Sequence, residues 1–346
     1  MRKLCIFLVV LMCMFVFLNS GSAEAESDKV YKMRLQSWAP TSDTTYDAAV
    51  EFTEICRKAS NGRLDITPYA SGSIVPGTKE FEALMDGGVE MIHNSPAWST
   101  QFIPAAIFFN QYPTGPTANQ LEMWMKVEGR KIAQELNSKF GVHYVGILSL
   151  SPAEIFLQSA KPIESVADIR GLKVRLGTPM LNSIFKKMGA STVILPGNQI
   201  YEAVQRGIID AFEYVTPTVN WTMGFHEVAK YVYLDPTRAP LDTQCIYVNG
   251  KVWDDLPEDL QKIIELATDQ VARTYYANTF KEDVETIQKF IDAGCKVLDV
   301  PQDIIELLKE KTQEYLNEQC EKDETYKMVY EKVKAWKEVC ERFSVR

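Results

Sequence analysis

Residues 76–90 and 196–210 carry one pattern twice, in register. Pro76-Gly77 answers Pro196-Gly197, Phe81 answers Tyr201, and Glu82-Ala83 answers Glu202-Ala203. Leu84 answers Val204, Gly87 answers Gly207, and Glu90 answers Asp210. Each copy reads as a Pro-Gly turn, a short amphipathic helix closed by glycine, and a strand opened by an acid. Two copies at a fixed offset constrain the chain to two α/β lobes of related design, with a cleft where strand ends of both lobes meet. The residues just past each copy, His93-Asn94 and Glu213-Tyr214, are then expected to face each other across that cleft.

The N-terminus places such a molecule outside the cytoplasm. Arg2 and Lys3 precede an apolar run from Leu4 to Leu18, followed by Asn19-Ser20-Gly21-Ser22 and Ala23-Glu24-Ala25. This is a charged segment, an apolar segment and an Ala-x-Ala cleavage signal, and the run is short of the about 20 residues a membrane span needs. Residues 1–25 are read as a cleaved leader. The chain is acidic, with a formal net charge of −9, and one unit more so once Arg2, Lys3 and Glu24 are set aside. An acidic chain without a basic stretch argues against nucleic acid and anionic membrane surfaces, but not against a small anion held by local groups. Beyond the leader remain Cys56, Cys245, Cys295, Cys320 and Cys340, with no Cys-x-x-Cys spacing to suggest zinc or thioredoxin-type chemistry. Cys320 and Cys340 flank a turn at Asp323-Glu324-Thr325, and either a staple between two helices or two plain thiols suits them.

Strands alternate with helices along both halves, which indicates a mainly parallel sheet with helices on its faces. Tyr31, Met33 and Leu35 alternate as a strand, a helix follows over 44–59, and Leu64 to Tyr69 is a second strand. A long helix is expected over 117–140 and a strand over 142–148. The second lobe begins near Ser149, with strands at 172–176, 192–195 and 231–234. Strand 244–249 returns to the first lobe. Pro257 opens an apolar pattern lasting to about Ile291 without Gly or Pro, a helix of roughly 50 Å that suits a strut across both lobes. The expected division is 26–148 plus 240–275 for one lobe, and 149–239 plus 276–346 for the other. Repeated crossings make a hinge between them.

Catalytic signatures are missing: no Gly-x-Ser-x-Gly, no Walker loop and no Gly-x-Gly-x-x-Gly. His143 and His226 read as structural and surface residues, and only His93 is a cleft candidate by its place in the repeat. Arg175, in strand 172–176, is the strongest candidate, because a guanidinium binds a carboxylate bidentately and stays charged when desolvated. Glu213 ends the second copy and Glu154 sits in the crossing between lobes. Two such carboxylates suit a general acid/base pair or hard oxygen ligands for a cation. Trp38, Trp98, Tyr112, Tyr214 and Trp221 lie in loops or strand ends, where aromatics form pocket walls.

Asp168-Ile169-Arg170-Gly171-Leu172-Lys173-Val174-Arg175, then Met188-Gly189-Ala190, Leu195-Pro196-Gly197 and Tyr201 to Ala211, form an ordered series. The series resembles the DctP-type solute-binding proteins of TRAP transporters, and the likeness runs over nearly the whole chain beyond the leader. The resemblance implies a periplasmic, two-lobed α/β binding protein fold with a hinge and a long helix spanning both lobes. Such a receptor closes on an organic acid and hands it to the membrane permease. It implies that Arg175 pairs with the ligand carboxylate. The segment Phe212-Glu213-Tyr214-Val215-Thr216-Pro217 is similar to the branch that binds 2-oxo and hydroxy acids. In that branch a cation bridges ligand and protein through the residues matching Glu213, Tyr214 and Glu154. The branch has Gln where this chain has Glu154 and Trp where it has Tyr214. Since Glu154 beside Glu213 would repel without a cation, a bound Ca²⁺, or Na⁺, is expected there.

The leading reading is therefore a carboxylate receptor and not an enzyme. Arg175 is the anchor, Glu154, Gln158, Glu213 and Tyr214 orient the ligand or metal, and Trp38, His93, Asn94, Trp98 and Tyr112 form the opposing wall. No cofactor is required beyond the possible ion. The alternative is an exported enzyme that acts on a small carboxylic acid with Glu154 and Glu213 as acid and base.

Overall fold

In the computed structural model, which describes residues 29–343, the alternating Tyr31, Met33 and Leu35 form strand β1 (Tyr31–Ser37). The leader at 1–25 lies outside the described residues. Met33 and Leu35 pack with Ala48, Phe52 and Cys56 of the helix Thr44–Ala59 in one core. Asn61 and Gly62, both at positive φ, then turn the chain into β2 (Leu64–Tyr69).

The described residues build two sheets of related order. The first runs β2-β1-β3-β10-β4, with β3 at Met91–Asn94, β4 at Val142–Ser151 and β10 at Asp242–Asn249. The second runs β11-β9-β5-β8-β6-β7. Its strands are β5 (Ile155–Ser159), β6 (Lys173–Arg175), β7 (Ser191–Val193), β8 (Ala211–Phe212), β9 (Tyr231–Leu234) and β11 (Lys296–Asp299). Apart from β11 the two orders superpose. β1, β2 and β3 are parallel, as are β6, β7 and β8, while β10 and β5 enter antiparallel. Each sheet is therefore mixed, not mainly parallel as the alternation suggested. The reason is topological: β5 and β10 are the first strands after a crossing, so they start at the cleft end, where β3 and β8 finish.

The repeat is a structural repeat. Its copies place a 3₁₀ turn at Gly77–Lys79 and Gly197–Gln199, a helix at Glu80–Met85 and Ile200–Gln205, and a strand at β3 and β8. The acid that opens each strand does the same job in both. Glu90 accepts from the backbone N–H of Arg34 on β1 (2.8 Å), and Asp210 accepts from that of Lys173 on β6 (3.1 Å).

Three connections join the lobes: 152–154 between β4 and β5, 235–241 between β9 and β10, and the helix Glu258–Asp292. That helix is 35 residues long. It is keyed to the first lobe through Tyr275 Oη and Thr45 Oγ1 (3.1 Å), Arg130 and Asp269 (3.0 Å), and the Arg63–Asp259 ion pair. It is keyed to the second through Asp283, which accepts from Thr218 N–H (2.8 Å), and through Phe290, which packs with Ile155 and Val232. None of the helices among the described residues is long and apolar enough to cross a membrane.

The helices Gln302–Cys320 and Glu324–Arg342 close the chain as a hairpin. The staple considered between Cys320 and Cys340 does not form, and the five cysteines among the described residues are free. Cys320 sits at the turn, whereas Cys340 lies about 25 Å further along the second helix. Antiparallel helices bring residues together by equal distance from their turn, and these two are not so placed.

Candidate functional site

β6 and β8 are parallel neighbours, and the site grows from where both end. Glu213, the first residue beyond β8, donates its N–H to the Arg175 carbonyl (3.2 Å). The Arg175 guanidinium folds back over this edge. Its Nε donates to Leu195 O (2.9 Å), and its Nη1 donates to Glu213 O (2.7 Å) and Glu213 Oε1 (3.2 Å). Nη2 has no protein partner among the described residues, although the side chain is buried and lines the cleft. Gly177 makes this possible. A Cβ there would fall 3.0 Å from Glu213 Oε1 and 3.3 Å from Arg175 Nη1, so a side chain would occupy the ground the pair needs.

Tyr214 forms the next wall. Its ring lies 5.6 Å from the Arg175 guanidinium and 6.3 Å from the Trp38 ring of the other lobe. It rests on Gly197, where a Cβ would collide with the phenol at 2.5 Å, which explains the glycine in the second Pro-Gly. Tyr214 Oη donates to Asp43 Oδ2 across the cleft (3.0 Å), tying the lips together.

The charge at the centre is organised by Arg238, in the second crossing. Its Nη2 donates to Glu154 Oε2 (2.7 Å) and Ile155 O (2.7 Å), and its Nη1 to Glu213 Oε2 (3.3 Å) and Gln111 Oε1 (3.3 Å). Its Nε donates to Phe156 O (2.8 Å). Every donor of this fully buried guanidinium is used. Gln111 donates to the other Glu154 oxygen (2.8 Å). Burial pushes the Glu154 carboxyl above its ordinary value, with Arg238 opposing, and the donors on both oxygens are those an ionised carboxylate needs. Asp242, at the start of β10, is pushed up to about 7, first by burial and further by the charge of Glu213, with hydrogen bonds opposing.

Arg238 thus places one positive charge between Glu154 and Glu213. All four of their carboxylate oxygens accept N–H donors, with Gly177 N–H completing Glu213 Oε1. Glu154 Oε1, Glu154 Oε2 and Glu213 Oε2 each accept a single donor, so each keeps a lone pair free. Arg238 was passed over in the sequence, as were Gln111, Gly177, Asp242 and Gln244, which line the same cleft or hold it. The signal was available: two acids brought together by one crossing call for a positive charge, and Arg238 stands between Pro236 and Pro240 in the returning one.

Of the residues singled out by sequence, Trp38, Trp98, Glu154, Arg175, Glu213 and Tyr214 line one cavity of about 50 Å³. Trp38 Nε1 and Gln244 Oε1 are buried there without a protein partner among the described residues. Four candidates are elsewhere. His93 is sealed between Ser37 Oγ and Ser149 Oγ (3.1 Å each), and burial lowers it to about 3, so it is neutral. Asn94 donates to Glu80 Oε2 (2.6 Å). Tyr112 packs edge-on to Phe108 (5.2 Å). Gln158 accepts from Asn220 (3.1 Å) and donates to Ala229 O (3.0 Å) in the lobe interior. Strand length explains the first two. β8 stops at Phe212, which frees Glu213 and Tyr214, whereas β3 continues through His93 and Asn94 and keeps them between β1 and β10.

Residues 35–323 match the model of the bacterial extracellular solute-binding protein family 7, DctP, and the chain belongs to this family of TRAP transporter solute receptors. It is 30% identical over 321 residues to the monocarboxylate 2-oxoacid-binding periplasmic protein of a Nostoc species, covering 92% of this chain and 87% of that one. Among solved structures it is similar to a TRAP transporter solute-binding protein of Bordetella bronchiseptica, with copurified calcium and picolinate in its active site. The TM-score is 0.88 at 25% identity, over 91% of this chain and 94% of that one. It is also similar to a TRAP periplasmic solute-binding protein of Pseudoalteromonas atlantica with bound sodium and pyruvate. There the TM-score is 0.85 at 25% identity, over 91% and 96% of the two chains.

Proposed function

We propose that this protein is an exported receptor for a small organic acid, a 2-oxo or hydroxy monocarboxylate, which it passes to a membrane permease. The observation that carries this reading is the open Nη2 edge of Arg175, beside a second guanidinium, Arg238, that is saturated. Arg175 takes the carboxylate, Trp38 Nε1 donates to a neighbouring ligand oxygen, and closure across Tyr214 and Asp43 is favoured by contacts to both walls. The hinge then runs through 152–154, 235–241 and the helix Glu258–Asp292, and β4 stays with the first lobe to Ser151 rather than handing over at Ser149, as the expected division into 26–148 plus 240–275 and 149–239 plus 276–346 would have it. Glu154 and Glu213 act as fixed charges, not as an acid/base pair, since Arg238 occupies both, and the protein binds without turnover. Calorimetry over short 2-oxo and hydroxy acids tests this. The Arg175→Ala protein should lose about 2–4 kcal/mol of affinity, and an unchanged affinity, or conversion of the acid, overturns the reading.

A second reading retains the ion. Glu154, Glu213 and Asp242 already outnumber Arg175 and Arg238, and a ligand anion adds a further negative charge. Gln244 Oε1 is also an unpartnered oxygen on the wall. A calcium or sodium ion beside the ligand would balance the excess. Metal analysis with and without chelator decides: stoichiometric metal whose removal abolishes binding supports the ion, and full affinity without metal discards it.

A further inference from the structure

The cavity at Arg175 is too small for more than the head of a ligand, at about 50 Å³. A chamber of about 470 Å³ lies against it. The two share Ala97 and Trp98 on one wall, and on the other Thr178 lines the first while Pro179, the next residue, lines the second. The same two chain segments thus line both spaces, with Trp98 as the partition.

We propose that the ligand is a monocarboxylate with an apolar, ring-sized substituent that ends in a hydrogen-bonding group, and that this substituent lies beyond Trp98, under Tyr326. The proposal rests on the carboxylate reading of Arg175 given above and specifies the class of acid. Ile107, Pro104 and Met180 give the chamber apolar sides, and no charged side chain lines it, so a second carboxylate would be desolvated there without a counter-charge. Tyr326, in the C-terminal hairpin, also lines the chamber. Its ring is held edge-on to Phe108 at 4.6 Å, and its hydroxyl is buried with no partner among the described residues. Buried phenols ordinarily find a partner. A ligand group in the chamber would provide one, with the Gln319 amide also in the lining. The C-terminal hairpin then becomes part of the specificity apparatus, reading the end of the ligand remote from Arg175.

The test is calorimetry with four probes: pyruvate, phenylpyruvate, 4-hydroxyphenylpyruvate and succinate. Phenylpyruvate should bind about tenfold tighter than pyruvate, the 4-hydroxy acid roughly fivefold tighter again, and succinate more weakly than pyruvate. Gln319→Trp, at a half-buried helical position, fills the chamber, and an unchanged melting point shows that the variant folds. It should remove the advantage of both aromatic acids and leave pyruvate within about twofold. Tyr326→Phe should remove only the hydroxyl increment. Pyruvate binding as tightly as both aromatic acids, or an unchanged aromatic affinity in Gln319→Trp, overturns the proposal and leaves the carboxylate receptor standing. Failure of every probe, pyruvate included, overturns both.

Discussion

Gln36 and Arg175 occupy one position in two lobes. Gln36 pairs with Ile92 of β3, as Arg175 pairs with Phe212 of β8, and each donates to a carbonyl just before its Pro-Gly turn. Gln36 Nε2 reaches Val75 O (2.8 Å), and Arg175 Nε reaches Leu195 O (2.9 Å). The amide has nothing left over. Its oxygen accepts from Ile74 and Val75, and its nitrogen also meets Glu80 (2.7 Å). The guanidinium performs the same local task with one nitrogen and extends two more beyond the sheet. One design thus gives a closed lobe and an open one, and the difference is the surplus of donors on a longer side chain.

The comparison can be broken in four ways. Arg238→Met removes the charge that neither lobe's repeat supplies and leaves Glu154 and Glu213 buried and uncompensated. A loss of about 3–5 kcal/mol is expected, read as a melting point lower by roughly 10 °C. Stability unchanged within error would show that the two acids are neutral. Arg175→Gln gives the second lobe the residue of the first. Binding of a short 2-oxo acid should fall by about 2–4 kcal/mol, while the melting point stays close to that of the parent, because the bond to Leu195 O is one an amide can make. A large loss of stability would mean that the two positions are not equivalent.

Proton linkage at Asp242 gives a smaller effect. Its folded value, raised to about 7, exceeds that of the unfolded chain, so its stabilising contribution is complete below about pH 4 and is lost as pH rises through about 7. An anion beside Glu154, Glu213, Arg175 and Arg238 favours the protonated form further. Affinity should therefore weaken with rising pH above about 7, by at most about tenfold per unit, and Asp242→Asn should flatten the profile. A profile that is flat in both proteins would remove Asp242 from the charge balance. The smallest test sharpens the repeat itself. Glu90→Gln and Asp210→Asn should cost about 1 kcal/mol each and agree within a few tenths in denaturant unfolding, since each acid receives the adjoining strand's N–H.

What the sequence made legible follows from this. Periodicity and glycine placed the repeat, most of the strands and the strut helix within a residue or two, because these depend on local pattern, whereas β4 runs on to Ser151 and β11 was not read. The orientation of β5 and β10 was not legible, since it depends on where the chain crosses between lobes. At the site, Arg175, Glu154, Glu213 and Tyr214 were reachable from motif and repeat. His93 and Asn94 were misassigned because equal spacing in sequence does not fix where a strand stops. Arg238 carries no motif, and its role exists only once three distant segments meet around it.

The helix Glu258–Asp292 has a consequence for motion. Fastened to the first lobe through Asp259, Asp269 and Tyr275 and to the second through Asp283, it is one rod shared by two jaws. Relative motion of the jaws that spares those fastenings has to bend or twist the rod between Tyr275 and Asp283. Opening is then concentrated in that short stretch of helix and in the two crossings, 152–154 and 235–241.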